Sequence, residues 1–484
     1  MYEFKTNPFE HQRTALRRTG LLGGTSPLPY FAFFMEMGTG KSKVAVDEAG
    51  ILFARRLIDI FIVVAPKGVC NNWVKPGGEL DVHLGVPYCA VRWQAGGGSA
   101  TNQKELMRLL TPDPKVLRVL VVNVEAFSSG TKADVYMRKL LASGRAYMLV
   151  DESTTIKNPD AARTKKVVSY GQLAAYRRIA SGSPVTRSPL DVYSQFEFLN
   201  PGLLGHRSFF SFRAKYAVMQ EKNFGSRKAK IVVGYRNTEE LAKMLEPHSY
   251  RVLKKDCLDL PEKIYTTWDV DLTDEQQRAY VSMRDEAFAE IGDHFASAQA
   301  AVTLIMRLQQ IVCGHFTDEL GNIQRLPSNR PTDLLEILES VRSDVIIWSH
   351  FRDDIARIVD AVRAEYGEAS VAQFHGGNTN TRDADAERFL GDDRCRFMVA
   401  TQSAGGRGNT WLNGTTVVYY SNSSDLEARL QSEDRPHRSG QKNPVTYIDM
   451  ITPGTVQVKM LKGLKNKMTL AEMVMQDDPR EWVI

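Results

Sequence analysis

The stretch Tyr30-Phe31-Ala32-Phe33-Phe34-Met35-Glu36-Met37-Gly38-Thr39-Gly40-Lys41-Ser42 decides how this chain is read: an apolar run breaks into a glycine turn that ends in Lys-Ser. The apolar run predicts a buried strand, and the alanine- and valine-bearing segment after Ser42 predicts a helix. A turn so placed sits at a helix N-terminus, where unpaired backbone N–H groups collect anionic oxygens. Gly38 and Gly40, flanking Thr39, let the backbone approach phosphate; Lys41 can bridge the outer two phosphates, and the Ser42 hydroxyl can ligate a magnesium ion. Phosphate loops of the full pattern carry glycine where Met35 stands, so a variant loop is expected. An accidental glycine turn is the competing reading, and only a second, independent element can displace it.

Working outward, strand-like runs recur between helical patterns at Ile60 to Ala65, Val116 to Val122, Met148 to Val150 and Arg178 to Ala180. Apolar strands separated by helices predict a parallel sheet covered on both faces, with ligands held at the carboxyl ends of the strands. One such end is Ala65-Pro66-Lys67, followed by Asn71-Asn72-Trp73. Another is Tyr147-Met148-Leu149-Val150-Asp151-Glu152, an apolar strand that delivers two adjacent carboxylates. By itself an Asp-Glu pair reads as a solvated turn. Behind a buried strand and paired with a phosphate loop, it suits Asp151 holding the hydration shell of Mg²⁺ and Glu152 orienting an attacking water.

The 484 residues exceed one ordinary core, so two or three domains are expected. With 62 Lys and Arg against 57 Asp and Glu, the net charge of +5 neither demands nor excludes a polyanionic partner, and any basic surface must be local. Five cysteines without a Cys-x-x-Cys pair suggest neither disulfides nor a zinc site and fit a reducing compartment. The N-terminus has no signal-like apolar core, and the run Leu28 to Met35 is too short to span a bilayer. A cytoplasmic protein without membrane contact is expected.

A second alternating series follows, with strand candidates at Val345 to Trp348, Val371 to Phe374, Arg396 to Ala400, Thr416 to Tyr420 and Val445 to Ile448. The predicted fold class is therefore α/β: two tandem parallel-sheet lobes, residues 1–255 and 256–484, divided where Lys254 to Pro261 interrupts the periodicity. The second lobe has no phosphate loop but carries Gln431-Ser432-Glu433-Asp434-Arg435-Pro436-His437-Arg438-Ser439-Gly440-Gln441. Arg435 and Arg438, three apart, share a helix face, and a guanidinium is a natural partner for charge developing on a γ-phosphate; a surface salt-bridge helix is the bland alternative. Between Phe209 and Lys254 aromatic and basic residues interleave. Gly225 to Lys230 reads as an exposed basic loop, and the segment from Phe209 to Lys230 as a decoration of the first lobe.

In this order the elements resemble the Swi/Snf branch of superfamily-two helicases, ATP-driven translocases on double-stranded DNA with two RecA-like lobes. The resemblance runs from about Phe9 to about Met473. Met35 to Ser42 looks like Asp-Glu-Met-Gly-Leu-Gly-Lys-Thr, and Asp151-Glu152 with Ile156-Lys157-Asn158 looks like the Asp-Glu-x-x-x-Ile-Lys-Asn box. Ser181-Gly182-Ser183-Pro184 stands for Thr-Gly-Thr-Pro; Phe198 to Gly205, Leu253 to Asp256, Leu308 to His315 and Gln431 to Gln441 complete the series. Thr154 replaces the usual His or Gln, Thr186-Arg187 the usual Gln-Asn, and Arg407 and Asn409 introduce polar groups into an otherwise apolar signature.

The resemblance implies ATP and Mg²⁺ as cofactors. Gln12 reads adenine after His11; Gly38, Thr39, Gly40, Lys41, Ser42 and Gly408 hold ATP, with Ser42 and Asp151 toward the metal. Lys41, Asp151, Glu152, Arg435 and Arg438 serve hydrolysis in a cleft between lobes. Lys67, Trp73, Lys157, Asn158, Thr186, Arg187 and Thr401 contact nucleic acid. It implies double-stranded or branched DNA as partner and a bare monomeric motor of bacterial or viral origin working beside replication or repair proteins. A strand-separating helicase on DNA or RNA and a nucleotide-gated interaction protein that does not move are the competing readings.

Overall fold

The computed structural model of the protein describes residues 2–24, 26–94, 98–129, 131–185, 188–224, 227–257, 259–291, 306–318, 321–378, 380–405, 410–423, 425–458, 460–461 and 464. They fall into two units, one within Met1–Val218 and Val232–Asp259, the other within Met219–Ile231 and Leu260–Thr469. The break lies beyond the expected 255/256 boundary because the segment after the last strand of the first sheet, helical over Lys254–Cys257, still packs on that unit: the Lys254 backbone N–H donates to Glu36 Oε2 at 2.6 Å.

The apolar run at Tyr30–Met35 is strand β1, buried from Phe31 onward. Phe31, Phe33 and Met35 enter the core on one face, and Phe34 turns to the other against Phe196, ring centroids 6.1 Å apart. Strands β2 (Ile60–Ala65), β3 (Tyr88–Arg92), β4 (Leu117–Asn123), β5 (Ala146–Asp151) and β6 (Tyr176–Ala180) follow. Strands β7 (Ala217–Phe224) and β8 (Arg227–Tyr235) pair only with each other, and β9 (Ser249–Val252) returns to the main sheet. Arg227 to Lys230, expected in a basic loop, lie in β8; Gly225 and Ser226 fall outside the described residues. The seven-stranded sheet has the order β3-β4-β2-β5-β6-β1-β9 and is parallel throughout. Its order places β6 between the strand that leads to the glycine turn and the strand that ends in Asp151. The two ends are therefore two strand spacings apart, about 10 Å, within reach of a lysine side chain.

The second unit holds β10 (Lys263–Asp269), a small pair β11 (His315–Thr317) and β12 (Ile323–Arg325), and β13 (Asp344–Ser349), β14 (Val371–Phe374), β15 (Phe397–Thr401), β16 (Gly414–Tyr419) and β17 (Val445–Ile451). Its six-stranded parallel sheet runs β10-β17-β16-β13-β15-β14, with apolar clusters on both faces. Among the described residues no helix is long and apolar enough to cross a membrane, and all five cysteines are free.

Candidate active site

Helix α1 (Glu10–Arg18) and helix α2 (Lys41–Ala54) frame the glycine turn. Met35 is the last residue of β1 and fully buried, so the loop proper is only Glu36 to Gly40, which is why the position needs no glycine. The loop closes on itself, with Thr39 Oγ1 donating to the Glu36 carbonyl at 2.7 Å. Gly38 and Gly40 have φ of 83° and 84°, a left-handed region that costs side-chain-bearing residues about 1 kcal/mol or more. At Gly40 space matters as well, since a Cβ there would lie 2.2 Å from Gln12 Nε2.

Gln12 is buried against this loop. Its Oε1 accepts from the Phe9 N–H at 2.9 Å and its Nε2 donates to the Thr39 carbonyl at 3.1 Å, while His11 Nε2 lies 2.8 Å from the same carbonyl. A primary amide has two donors and two acceptor lone pairs, so one of each is left for a ligand. Ser42, half-buried in the first turn of α2, sits beside Lys41.

Lys41 Nζ reaches across to Glu152 Oε1 at 3.0 Å, with both side chains about nine-tenths buried. Asp151 Oδ2 accepts from Trp73 Nε1 at 3.2 Å and Oδ1 from the Glu152 N–H at 3.1 Å. Burial, and then the neighbouring Glu152, push the Asp151 carboxyl up to about 7, only partly offset by Lys41 and Trp73. Glu152 occupies a left-handed conformation, φ 51° and ψ 62°, strain of the order of 1–3 kcal/mol that surrounding structure must sustain. Two buried acids face one ammonium here, and the half-buried Ser42 hydroxyl follows that lysine in the first turn of α2. That donor set fits a hydrated divalent cation carried on phosphate oxygens.

This arrangement corrects the reading of Trp73 as a nucleic-acid contact: with no solvent exposure, its ring has no face to offer, and its N–H serves Asp151 instead. Lys67 and Asn158 are exposed and Lys157 half-buried; Asn158 Oδ1 already accepts from the Asp160 N–H at 2.9 Å. Thr401 closes β15 at 7% exposure, so little of its side chain reaches solvent. Thr186, Arg187 and Gly408 lie outside the described residues.

Two supports were not among the residues expected at the site. Glu48 on α2 takes Arg178 of β6 in a bidentate pair, shortest contact 2.6 Å, and accepts from Tyr147 Oη of β5 at 3.0 Å, all fully buried. The phosphate-loop helix is thereby pinned to the two strands behind the acids and the Ser-Gly-Ser-Pro turn. Charged residues at 47 and 48 in an otherwise apolar helix were the available signal. The second support is Gln195: Ser153 Oγ donates to its Oε1 at 2.6 Å, and its Nε2 donates to the Pro184 and Asp191 carbonyls, both at 2.8 Å. The acidic box is thus tied to the Ser-Gly-Ser-Pro turn through Ser153, next to the buried Thr154 that replaces the family's His or Gln.

In the second unit the helix Leu426–Glu433 ends before the arginines, so Arg435 and Arg438 lie in the turn beyond it and not on the shared helix face expected. Arg429 pairs with Asp449 of β17 at 2.5 Å and with Glu433 at 2.8 Å; Lys263 Nζ lies 3.2 Å from Glu433, and Tyr265 Oη donates to it at 2.7 Å. Burial opposes ionisation of Glu433, yet Lys263 and Arg429 hold its carboxyl below the ordinary value. Arg435 is 1% exposed and donates through Nε to the Gln431 carbonyl at 3.0 Å. Arg438 is half-buried and donates to Thr410 Oγ1 at 2.7 Å.

A parallel α/β fold with a glycine turn, a lysine and two acids joined at one end of its sheet defines a phosphate-loop nucleotide-binding protein. The SNF2-related domain matches residues 25–317 and the helicase conserved C-terminal domain residues 329–440, and the chain belongs to the SNF2-related family. It is 24% identical to the TATA-binding protein-associated factor MOT1 of Saccharomyces cerevisiae over 85% of this chain and 24% of that protein. It is 26% identical to the putative ATP-dependent helicase/translocase YwqA of Bacillus subtilis over 69% of this chain and 36% of that one. The chain therefore spans between a quarter and two-fifths of the length of these relatives. Among solved structures, the Sulfolobus solfataricus SWI2/SNF2 ATPase core in complex with dsDNA is 22% identical, with 99% of this chain and 95% of that chain covered at a TM-score of 0.42.

Proposed function

We propose that the protein is a DNA-dependent ATPase that hydrolyses ATP to move along double-stranded DNA, remodelling DNA structures or displacing bound proteins. The observation that carries the ATPase reading is the 3.0 Å contact between Lys41 of the glycine loop and Glu152 of the acid pair, which brings the two halves of a hydrolytic site together. The translocase reading draws on membership of the SNF2-related family and on relatives named as a putative ATP-dependent helicase/translocase and a probable chromatin-remodelling complex ATPase chain.

When bound, Mg²⁺ supplies positive charge against the phosphate oxygens. Ser42 and Asp151 would hold it, and the remaining donor and acceptor of Gln12 match the N6 and N7 edge of adenine. Lys41 exchanges its carboxylate partner for phosphate, which leaves Glu152 free to orient water. Arg435 and Arg438 come from the second unit, and Lys67, Lys157 and Asn158 grip the DNA backbone.

Replacing Trp73 with Phe removes the one N–H that steadies Asp151 Oδ2; outer partners of metal-binding groups typically contribute about 10–100-fold in metal affinity. A shift of that size toward higher Mg²⁺ in a titration of ATP turnover is expected, with near-UV spectra reporting retained packing. An unchanged Mg²⁺ midpoint would assign the indole to packing alone. Glu152→Gln is expected to keep ATP affinity and to slow turnover by about 10²–10⁴-fold. Weakened affinity with intact turnover would remove Glu152 from the water-orienting role.

Motion is tested by pairing triplex displacement with unwinding of a tailed duplex under the same ATP and salt, because phosphate grip falls steeply with salt. Third-strand displacement without unwinding is expected, since separating strands costs about 1.4 kcal/mol per base-pair step in stacking. Efficient unwinding without displacement would replace the translocase by a strand-separating helicase.

A further inference from the structure

Residues 206–236 hold eight Lys and Arg against the single acid Glu221. Because the whole chain is only +5, everything outside this stretch is net negative. The positive excess is therefore concentrated here, in the aromatic-basic segment that the nucleotide site does not use. A polyanion drawn to this molecule by charge is drawn to this arm first.

The helix Phe209–Tyr216 opens the arm, capped by Ser208 Oγ, which accepts from the Ser211 N–H at 3.2 Å. One face is locked: Phe212 and Tyr216 lie 4.7 Å apart, and Tyr193 lies 5.5 Å from Phe209 and 5.1 Å from Phe212. Arg236 Nη2 donates to the Ala214 carbonyl at 2.6 Å, fixing the helix near its end. On the opposite face the Phe210 ring is 71% exposed, and the Arg213 guanidinium lies 5.7 Å from its centroid and 5.9 Å from that of Phe209. A rigidly mounted, solvent-facing ring beside a guanidinium is the combination that binds unstacked bases, the ring taking the base and the cation the adjoining phosphate.

We propose that the helix Phe209–Tyr216 carries a second nucleic-acid site, which stacks an unpaired base of single-stranded or branched DNA on Phe210 while Arg213 holds the adjoining phosphate. The inference rests on the reading that DNA is the track, and adds a site that selects DNA carrying unpaired bases. An intact duplex buries its base faces, so it has nothing to place on Phe210. A protein partner would need a strongly acidic surface around an aromatic pocket to match so one-sided a charge.

The test uses the full chain, a blunt duplex, and the same duplex with a single-stranded tail carrying 2-aminopurine at its first unpaired position. The parent is expected to bind the tailed probe more tightly and to quench the 2-aminopurine. Phe210→Ala should lose about tenfold in affinity for the tailed probe and lose the quench, with blunt-duplex affinity unchanged. Phe210→Trp should restore both, and Arg213→Gln should lower the salt slope of tailed-probe binding by about one. Phe210 is exposed, so its replacement leaves the core intact. Equal tail preference and equal quench in Phe210→Ala, or an equal loss on both probes, would overturn the proposal. A parent that binds no DNA, and whose ATP turnover no DNA stimulates, would overturn the translocase reading and this one together; a duplex-stimulated parent indifferent to Phe210 refutes the arm alone.

Discussion

Replacing Arg438 with Ala is expected to slow ATP turnover by about 10³–10⁵-fold, roughly 4–7 kcal/mol of transition-state stabilisation, with nucleotide affinity nearly unchanged. The expectation follows from the chemistry of the step: charge spreads over the equatorial oxygens of the departing phosphoryl group, and a planar guanidinium matches them in two directions. Arg438 is the cleaner of the two arginines to test. It is half-buried and held by one hydroxyl, that of Thr410 at 2.7 Å, so truncation disturbs little else. Arg435 is 1% exposed and its Nε donates to the Gln431 carbonyl at 3.0 Å, so its truncation also removes buried packing and a hydrogen bond from the second unit. Both variants should therefore slow hydrolysis, but Arg435→Ala should also unfold at lower denaturant. Single-turnover rates and nucleotide binding measured separately decide the matter. If both variants hydrolyse ATP within a few-fold of the parent, neither arginine serves the reaction.

Lys41→Ala should abolish hydrolysis, because no second cation in the glycine loop can replace the bridge to phosphate. It has a further consequence through the acid pair. In the parent, Glu152 lies 3.0 Å from the ammonium, and that ammonium holds down an Asp151 carboxyl that burial and Glu152 raise to about 7. Breaking a buried pair by removing one partner typically costs about 3–5 kcal/mol. The sign with pH follows from proton uptake: a carboxyl whose folded value lies above its unfolded value of about 3.9 binds more protons in the native state, so stability falls as pH rises between the two values. In the parent this contribution acts between about 4 and 7. In Lys41→Ala the window extends above 7, because the restraining charge is gone. Denaturation midpoints of parent and variant across pH, beside an ATPase assay, test both parts. Measurable turnover in the purified variant would remove the glycine loop from its assigned role, and parallel pH curves would show that Lys41 does not stabilise the acids.

Much of this architecture was legible before folding was considered. Central strands carry their own announcement: β1, β2, β4, β5, β13 and β16 are buried on both faces and read as apolar runs, so their positions along the chain and the glycine turn and acid pair at their ends could be taken from the sequence. Within the two large sheets the three strands with no such announcement, β3, β9 and β10, all lie at edges, where one flank meets solvent and side chains such as Tyr88, Arg251 and Thr267 break the apolar pattern. Arg227 to Lys230 looked like a loop for a related reason: β8 pairs only with β7, and its charges mask the strand.

What the sequence by itself determined is the set of candidate residues: the glycines that tolerate a left-handed turn, the lysine, the paired acids and the arginines, each a residue type that phosphate chemistry uses. What only the tertiary structure decided is which groups hold them there. Trp73 was expected to contact nucleic acid and proves to be the buried donor to Asp151; Arg178 read as a strand residue and proves also to be the pin between Glu48 and the sheet; Gln195 had no pattern at all. These partners stand 78, 130 and 42 residues apart in the chain. A buried polar group must find a partner, but the choice of partner depends on strand order, and local patterns of side chains carry no record of that order.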